Sequence, residues 1–229
     1  MNETQARDEI CRVGASLFAR GYVHATAGNI SIRLAPEEGG GYLITPTDAC
    51  LGFLDPASLA RLDDQGVQIG GARASKTIAL HRRIYEATAD AGRPARCVIH
   101  THSTHLVAMT LAGQAPGVAD GELLPPITPY FVMKVGRVPL VAYQRPGAPA
   151  VADEVARLIA GYARRGTVLR AVMLDRLGPN VWHGSAAEAM ATLEELEETA
   201  RLWQMTGRTA APLPEAAIEE LRQAFGASW

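Results

Sequence analysis

The chain of 229 residues is long enough for one large α/β domain, residues 1–229, and no internal repeat or linker divides it. Its net charge is −2 and its basic residues are scattered, so the footprint of a nucleic-acid-binding protein is excluded. Because no apolar run approaches roughly 18 residues and the N-terminus is polar, we expect a cytoplasmic protein with no membrane partner.

The first third of the sequence predicts a helix followed by short strands. Ile10, Val13 and Leu17 recur at helical spacing, and Gly21 stands where that helix would end. A short helix is expected after Asp55, which can cap it and is followed by a proline. Strands are predicted in the segments TAGNISIRL, YLIT and GVQIGG.

The remainder alternates between helices and strands. A helix is expected from Thr77 to about Ala89, and another runs from STHLV to Gly113. Further helices are predicted in TPYFVMKVG, APAVADEVARLIAGYARR, SAAEAMATLEELEETARLWQM and LPEAAIEELRQAF, and strands in RCVIHTH, VPLVAY and VLRAVMLD. The strands come first as hairpins and later alternate with helices. This order favours a three-layer α/β/α fold with a central, mostly antiparallel sheet.

The segment VIHTHSTH contains three of the six histidines. Side chains two residues apart in a strand point to the same side, so His100 and His102 are expected to project together. Two imidazoles that converge at a strand end suit zinc or a similar divalent ion. His105 falls in the following helix, behind the site or in the core. The spacing identifies no third ligand, and an incidental His-x-His pair remains open.

Three other segments carry groups that suit an anion. The loop before the first strand contains Asn29, and the turn ITPTD contains Thr47. Ser75 and Lys76 precede a predicted helix, whose N-terminus favours negative charge. Each feature is also ordinary turn or helix-start chemistry, so none identifies a site alone.

Taken in order, six segments resemble the class II aldolase/adducin family over roughly residues 5–225. They are TAGNIS, LITPT, ASK with ALH behind it, VIHTHSTH, ITPYFVMKVGRVPLVAYQRPG and EELEETARL. The last two resemble in particular its 3-oxo-tetronate 4-phosphate decarboxylase branch. The resemblance implies a class II aldolase-like fold, a homotetramer with sites between subunits, and zinc or a similar ion. It also implies carbon–carbon bond cleavage through a metal-stabilised enolate.

The resemblance assigns roles to matching positions. Metal ligands are His100 and His102, anion-binding groups are Asn29, Thr47, Ser75 and Lys76, and Tyr130 is a proton donor to a neighbouring subunit.

Three positions depart from the family pattern. The catalytic glutamate position holds Thr77, which cannot act as a carboxylate base. The third histidine position holds Leu177, which should weaken metal binding; His183 and Asp175 are weak substitutes. The glycine of the phosphate loop is Asp48, which repels a phosphate unless it faces solvent. An unphosphorylated substrate, or an anion site put to another use, would explain that residue.

Two hypotheses follow from these departures, and a third is weaker. The first is a divergent lyase, decarboxylase or aldolase, acting on a small oxo-acid or sugar-acid derivative. Thr77 harms decarboxylation less than aldol cleavage, because only the latter needs a base. The second is a catalytically altered or metal-free homologue that binds a ligand or partner. The third, a two-histidine iron site, lacks an evident carboxylate.

Overall fold

The computed structural model describes residues 1–112 and 121–229, and within them the chain forms one sheet of eight strands and six α-helices. The strands are β1 (Asn29–Arg33), β2 (Tyr42–Ile44), β3 (Ala60–Leu62), β4 (Gln68–Gly70), β5 (Cys97–His100), β6 (Leu140–Val141), β7 (Ala171–Leu174) and β8 (Gly178–His183). The helices are α1 (Glu3–Ala19), α2 (Ile78–Asp90), α3 (Thr104–Leu111), α4 (Pro149–Arg164), α5 (Ala186–Met205) and α6 (Glu215–Phe225).

The strand order across the sheet is β4-β3-β2-β1-β5-β8-β7-β6, and every neighbouring pair is antiparallel except β6 with β7. One apolar core lies between the sheet and α1, α3 and α5, and a second lies between the sheet and α2 and α4. Alternation within a strand supplies both cores: in β5, Ile99 enters the first and Val98 the second. The predicted three-layer fold with a mostly antiparallel sheet is confirmed.

Most predicted elements are present, with local differences. The first helix ends at Ala19, and Gly21 follows with a φ of 73°. After Asp55 the chain forms only a 3-10 turn, Pro56–Ser58, and the next residues enter β3, which was not predicted. The TPYFVMKVG segment contains a π-helical turn at Phe131–Val135. The predicted helix end at Gly113 lies outside the described residues.

The strand β8 was not predicted, although it lies centrally between β5 and β7. It opens with Gly178, Pro179 and Asn180, residue types that are typical of turns and are depleted in central strands. At Gly178 (φ +140°) a Cβ atom would lie 1.9 Å from the Thr101 carbonyl oxygen, so only glycine permits this approach. The contact holds the start of β8 against the end of β5.

None of the helices in the described part of the chain has the length and apolar character needed to cross a membrane.

Candidate functional site

A cavity of about 650 Å³ opens where β5 ends, between the N-terminal ends of α2 and α4. It brings together almost all of the candidate site residues. Those that line it are Asn29, Thr47, Asp48, Ser75, Lys76, Thr77, His100 and His102. The chain segments that meet here are the start of β1, the turns after β2 and β7, and the start of α2, so residues far apart in sequence share one wall.

The two histidines of the His-x-His pair face each other, with ring centroids 5.1 Å apart. The strand ends at His100, so His102 lies two residues beyond the strand and not within it as predicted. His100 donates from Nδ1 to the Pro179 carbonyl oxygen at 2.9 Å, which leaves its Nε2 as a bare lone pair. Burial lowers the pKa of His100 to about 4, with a smaller effect from His102, so the ring is neutral near pH 7.

Two asparagines flank His100 across the sheet. Asn29 of β1 and Asn180 of β8 are its register partners on either side, so the three side chains form one row on the cavity side. Asn180 is fully buried, and among the described residues neither its Oδ1 nor its Nδ2 has a hydrogen-bond partner; Asn29 Oδ1 has none there either. Because an unsatisfied buried polar group costs about 1–3 kcal/mol, this row is suited to a bound polar group.

A third histidine, His81 on α2, lies buried behind this row. Tyr85 donates its one hydroxyl proton to the Ser31 carbonyl oxygen (2.9 Å), so it accepts from Ser31 Oγ (2.7 Å). Ser31 Oγ therefore accepts from His81 Nδ1 (2.8 Å), and His81 Nε2 is a lone pair with no partner in residues 1–112 and 121–229. Burial lowers the pKa of His81 to about 3, with a smaller effect from His100.

The Thr77 hydroxyl oxygen accepts hydrogen bonds from two neighbouring side chains. Its Oγ1 accepts from Asn29 Nδ2 at 3.2 Å and from Ser75 Oγ at 3.3 Å. A hydroxyl oxygen has two lone pairs, so both are occupied and only the O–H remains to be donated. An ionised glutamate at this position would do the opposite, because a carboxylate only accepts hydrogen bonds.

Two of the anion-binding candidates lie at the exposed side of the cavity. Lys76 and Asp48 are both exposed and both line it, and Asp48 adopts a φ of +58°. Thus Asp48 faces the cavity as well as solvent, in a conformation that favours glycine. Arg145, from the RPG segment after β6, also lines the cavity. Within residues 1–112 and 121–229, neither Lys76 nor Arg145 forms an ion pair.

The structure narrows the choice of a third metal ligand. Leu177 lines the cavity and packs against the second core, so the position at which the resemblance places the third histidine is apolar. His183 pairs with Cys97 at the far end of β8, three residues or about 10 Å from His100 along the strand, and this excludes it as the third ligand. Asp175 lines the cavity, but within the described ranges no three His, Cys, Asp or Glu side chains are close enough to hold an ion.

Two candidates lie elsewhere. Tyr130 is 60% exposed and does not line the cavity of its own chain. His105 does not line the cavity, and its Nδ1 lies 2.8 Å from Glu197 Oε1 on α5. Glu197 is buried and also accepts from the backbone N–H groups of His105 and Leu106, so it stabilises the start of α3.

Three residues near the site were missed by the sequence reasoning. Asn180 lay in the unpredicted strand, and Arg145 belonged to a quoted segment but received no role. His24, in the loop before β1, places its ring 6.4 Å from that of His102. A single histidine in a loop has no spacing that would indicate a ligand, so only the structure shows this proximity.

Comparison with known proteins adds independent findings. The family described as "Class II Aldolase and Adducin N-terminal domain" matches residues 8–204. A 3-oxo-tetronate 4-phosphate decarboxylase of Cupriavidus necator is 52% identical over 232 residues, covering 99% of each chain. The structure of YgbL from Escherichia coli superposes with a TM-score of 0.83 at 36% identity, covering 96% of this chain and 99% of that one. The structure of L-fuculose-1-phosphate aldolase from Thermus thermophilus gives a TM-score of 0.70 at 25% identity, with coverages of 91% and 98%.

Proposed function

Since the chain belongs to the class II aldolase and adducin family, we propose that it is a carbon–carbon lyase that decarboxylates a 3-oxo sugar acid carrying a terminal phosphate. Its 52% identity over the full length of a 3-oxo-tetronate 4-phosphate decarboxylase supports the reaction and the substrate class. The observation that carries the choice of decarboxylation over aldol cleavage is the hydrogen bonding of Thr77.

Retro-aldol cleavage needs a base to remove a hydroxyl proton, whereas decarboxylation does not. Both lone pairs of Thr77 Oγ1 are occupied by Asn29 and Ser75, so Thr77 can only donate. A donor at this position suits an oxygen that gains negative charge during the reaction. The same geometry would leave a retro-aldol substrate without its base.

In the proposed reaction, the bond between the carboxylate carbon and C2 breaks and CO₂ leaves. The electron pair forms a C2–C3 double bond, and negative charge moves to the oxygen on C3. Thr77 Oγ1 and Asn180 Nδ2, neither of which donates to another group among the described residues, would stabilise that oxygen. A proton then reaches C2, and we assign its delivery to Tyr130 of a neighbouring subunit, because Tyr130 lies outside the cavity of its own chain.

The histidine pair fits a divalent ion. Two imidazoles that share a tetrahedral zinc hold their centroids about 5 Å apart, because each Zn–N bond is about 2.0–2.1 Å long. The 5.1 Å separation of His100 and His102 meets that requirement, and Pro179 fixes the tautomer that leaves His100 Nε2 free. These residues would hold the ion, which supplies Lewis acidity at the ketone oxygen when bound.

The phosphate end of the substrate would lie at the exposed side of the cavity. Lys76 and Arg145 provide two cationic groups without ion-pair partners among the described residues, and Ser75 provides a hydroxyl. Asp48 opposes them with one negative charge, so these three side chains together carry one net positive charge. This balance supports a phosphorylated substrate bound less tightly than it would be without Asp48.

The test is CO₂ release from 3-oxo-tetronate 4-phosphate by the purified chain, with aldol cleavage of L-fuculose 1-phosphate measured in parallel. We expect CO₂ and no aldol cleavage. Thr77→Val keeps the shape of the side chain and removes its donor, so kcat should fall about 100-fold. Ser58→Ala, at an exposed 3-10 turn away from the cavity, is the matched hydroxyl control. Absence of CO₂ release would refute the proposal, and unchanged turnover in Thr77→Val would refute the role of Thr77.

A ligand-binding homologue without turnover is the alternative that Leu177 favours, since the third-ligand position is apolar. The double variant Thr77→Glu with Leu177→His restores the family pattern at both positions. If the double variant gains lyase activity that the native chain lacks, the alternative holds. If the native chain decarboxylates and the double variant is slower, the departures are adaptations to its reaction.

A further inference from the structure

Asn180 is an unexpected residue for its place in the fold. It lies in β8, a central strand between β5 and β7, and asparagine is depleted in strands. Its side chain is fully buried, and neither amide atom has a hydrogen-bond partner among the described residues. Because buried polar side chains nearly always have such a partner, the amide calls for an explanation beyond the fold.

The same strand satisfies its other buried polar group. Trp182 lies two residues further along β8, on the same side of the sheet as Asn180, and its Nε1 donates to the Leu169 carbonyl oxygen at 3.0 Å. The two residues differ in their surroundings, because Asn180 lines the cavity whereas Trp182 packs in the second core. The partner of the Asn180 amide is therefore expected to come from a molecule in the cavity.

The chemistry of the amide indicates what that molecule carries. A carboxamide joins a donor and an acceptor on one carbon, so it can pair with two oxygens on adjacent carbons when one is a carbonyl and the other a hydroxyl. Asn180 Nδ2 is the donor that the proposed reaction directs at the C3 oxygen. Asn180 Oδ1 then faces the neighbouring carbon and needs a hydroxyl to donate to it.

We propose that Asn180 selects substrates that carry a hydroxyl group beside the ketone, with Oδ1 accepting from the C2 hydroxyl while Nδ2 donates to the C3 oxygen. The inference rests on the proposed function for the identity of these two oxygens. A site built to bind a hydroxyl rejects an analogue that lacks it, because the buried acceptor is then left without a partner. An apolar side chain at position 180 could not make that distinction.

The experiment compares two ketones that differ by this one hydroxyl. Dihydroxyacetone phosphate is what remains of the proposed substrate after CO₂ leaves, and hydroxyacetone phosphate lacks the oxygen that corresponds to the C2 hydroxyl. Their dissociation constants are measured by calorimetry on the full-length chain, so no turnover is needed. We expect the native chain to prefer the dihydroxy compound at least about 10-fold, and Asn180→Leu to bind the two about equally, since a hydrogen bond to a buried group is worth about that factor.

Two further variants separate the contact from a structural effect. Asn180→Asp keeps an acceptor and loses the amide donor, so it should retain the preference for the hydroxyl, although its charge weakens the binding of both phosphates alike. Val181→Ala is the matched control, because Val181 is the next residue of β8 and lies in the first core on the opposite side of the sheet. It should also retain the preference.

The stability of the ligand-free chain gives a second readout. Asn180→Leu removes two buried polar atoms that have no partner among the described residues, so it should be at least as stable as the native chain in urea. A residue that served the fold would instead lose stability on this substitution, and that result would count against a ligand-binding role.

The outcomes distinguish this inference from the proposed reaction. An unchanged preference in Asn180→Leu, loss of the preference in Asn180→Asp, or equal binding of both ketones by the native chain overturns the inference alone. A preference that depends on Asn180 without CO₂ release from 3-oxo-tetronate 4-phosphate supports the hydroxyl contact and refutes the reaction. If the native chain binds neither ketone, the inference and the proposed substrate class are both overturned.

Discussion

The buried, neutral His81 should make the stability of this protein depend on pH, and His81→Gln should remove a defined part of that dependence. In the folded chain the pKa of His81 falls from 6.5 to about 3 because the ring is buried. The folded pKa lies below the unfolded one, so the unfolded state takes up the proton first as the pH falls. Stability is therefore complete above about pH 6.5 and is lost progressively between pH 6.5 and 3.

The magnitude follows from proton linkage. Over this range each pH unit costs about 1.4 kcal/mol per histidine, so lowering the pH from 7 to 5 costs about 2 kcal/mol for His81. His100, with a pKa of about 4, contributes a similar loss of about 2 kcal/mol in the metal-free chain. The His81→Gln variant keeps the His100 contribution and should lose about 2 kcal/mol less than the native chain.

The assay is urea unfolding of chelator-treated protein at pH 7 and pH 5, compared between variants. Ser31→Ala is the matched control: it removes the partner of His81 Nδ1 but retains the buried imidazole. It should lower stability at both pH values and preserve the difference between them. If the unfolding free energy of His81→Gln differs between pH 7 and pH 5 by as much as that of the native chain, His81 takes up no proton on unfolding. That result would refute the reasoning.

Two further predictions concern single positions. Asp48→Gly should strengthen binding of inorganic phosphate about 10-fold, measured by calorimetry, because it removes a charge worth up to about 4 kcal/mol at 4 Å; unchanged binding would place the anion elsewhere. Gly178→Ala should destabilise the chain by about 3 kcal/mol or more in urea, because its Cβ would meet the Thr101 carbonyl oxygen. Gly184→Ala, whose Cβ would meet only the Glu188 side chain at 3.5 Å, is the control and should change little.

Sequence reasoning succeeded where the physical signal is local. The apolar spacing in α1 and α5 and the hairpin of β1 with β2 are short-range patterns, and the structure contains all of them. The pair His100 and His102 was found from its spacing, although the strand ends between them. The strand β8 was missed because Gly178, Pro179 and Asn180 contradict strand propensity, and only pairing with β5 and β7 imposes an extended conformation.

The sequence predicted which residues form the candidate site more fully than it predicted the contacts between them. That Asn29 donates to Thr77, leaving Thr77 as a donor, depends on contacts across 48 positions of sequence. The proximity of His24 to His102 depends likewise on the pairing of β1 with β5. Neither has a sequence signal, because long-range contacts arise only after the sheet has formed.

The close contact between Gly178 and Thr101 has an evolutionary consequence. Because the backbone at the start of β8 lies against the end of β5, position 177 stays in the lining of the cavity that His102 also lines, whatever side chain it carries. Leucine and histidine codons can differ by one base, so a single mutation could return an imidazole to this point without rebuilding the loop. A chain that carries Leu177 is therefore one amino-acid substitution away from an imidazole at the position where the family resemblance places a third histidine.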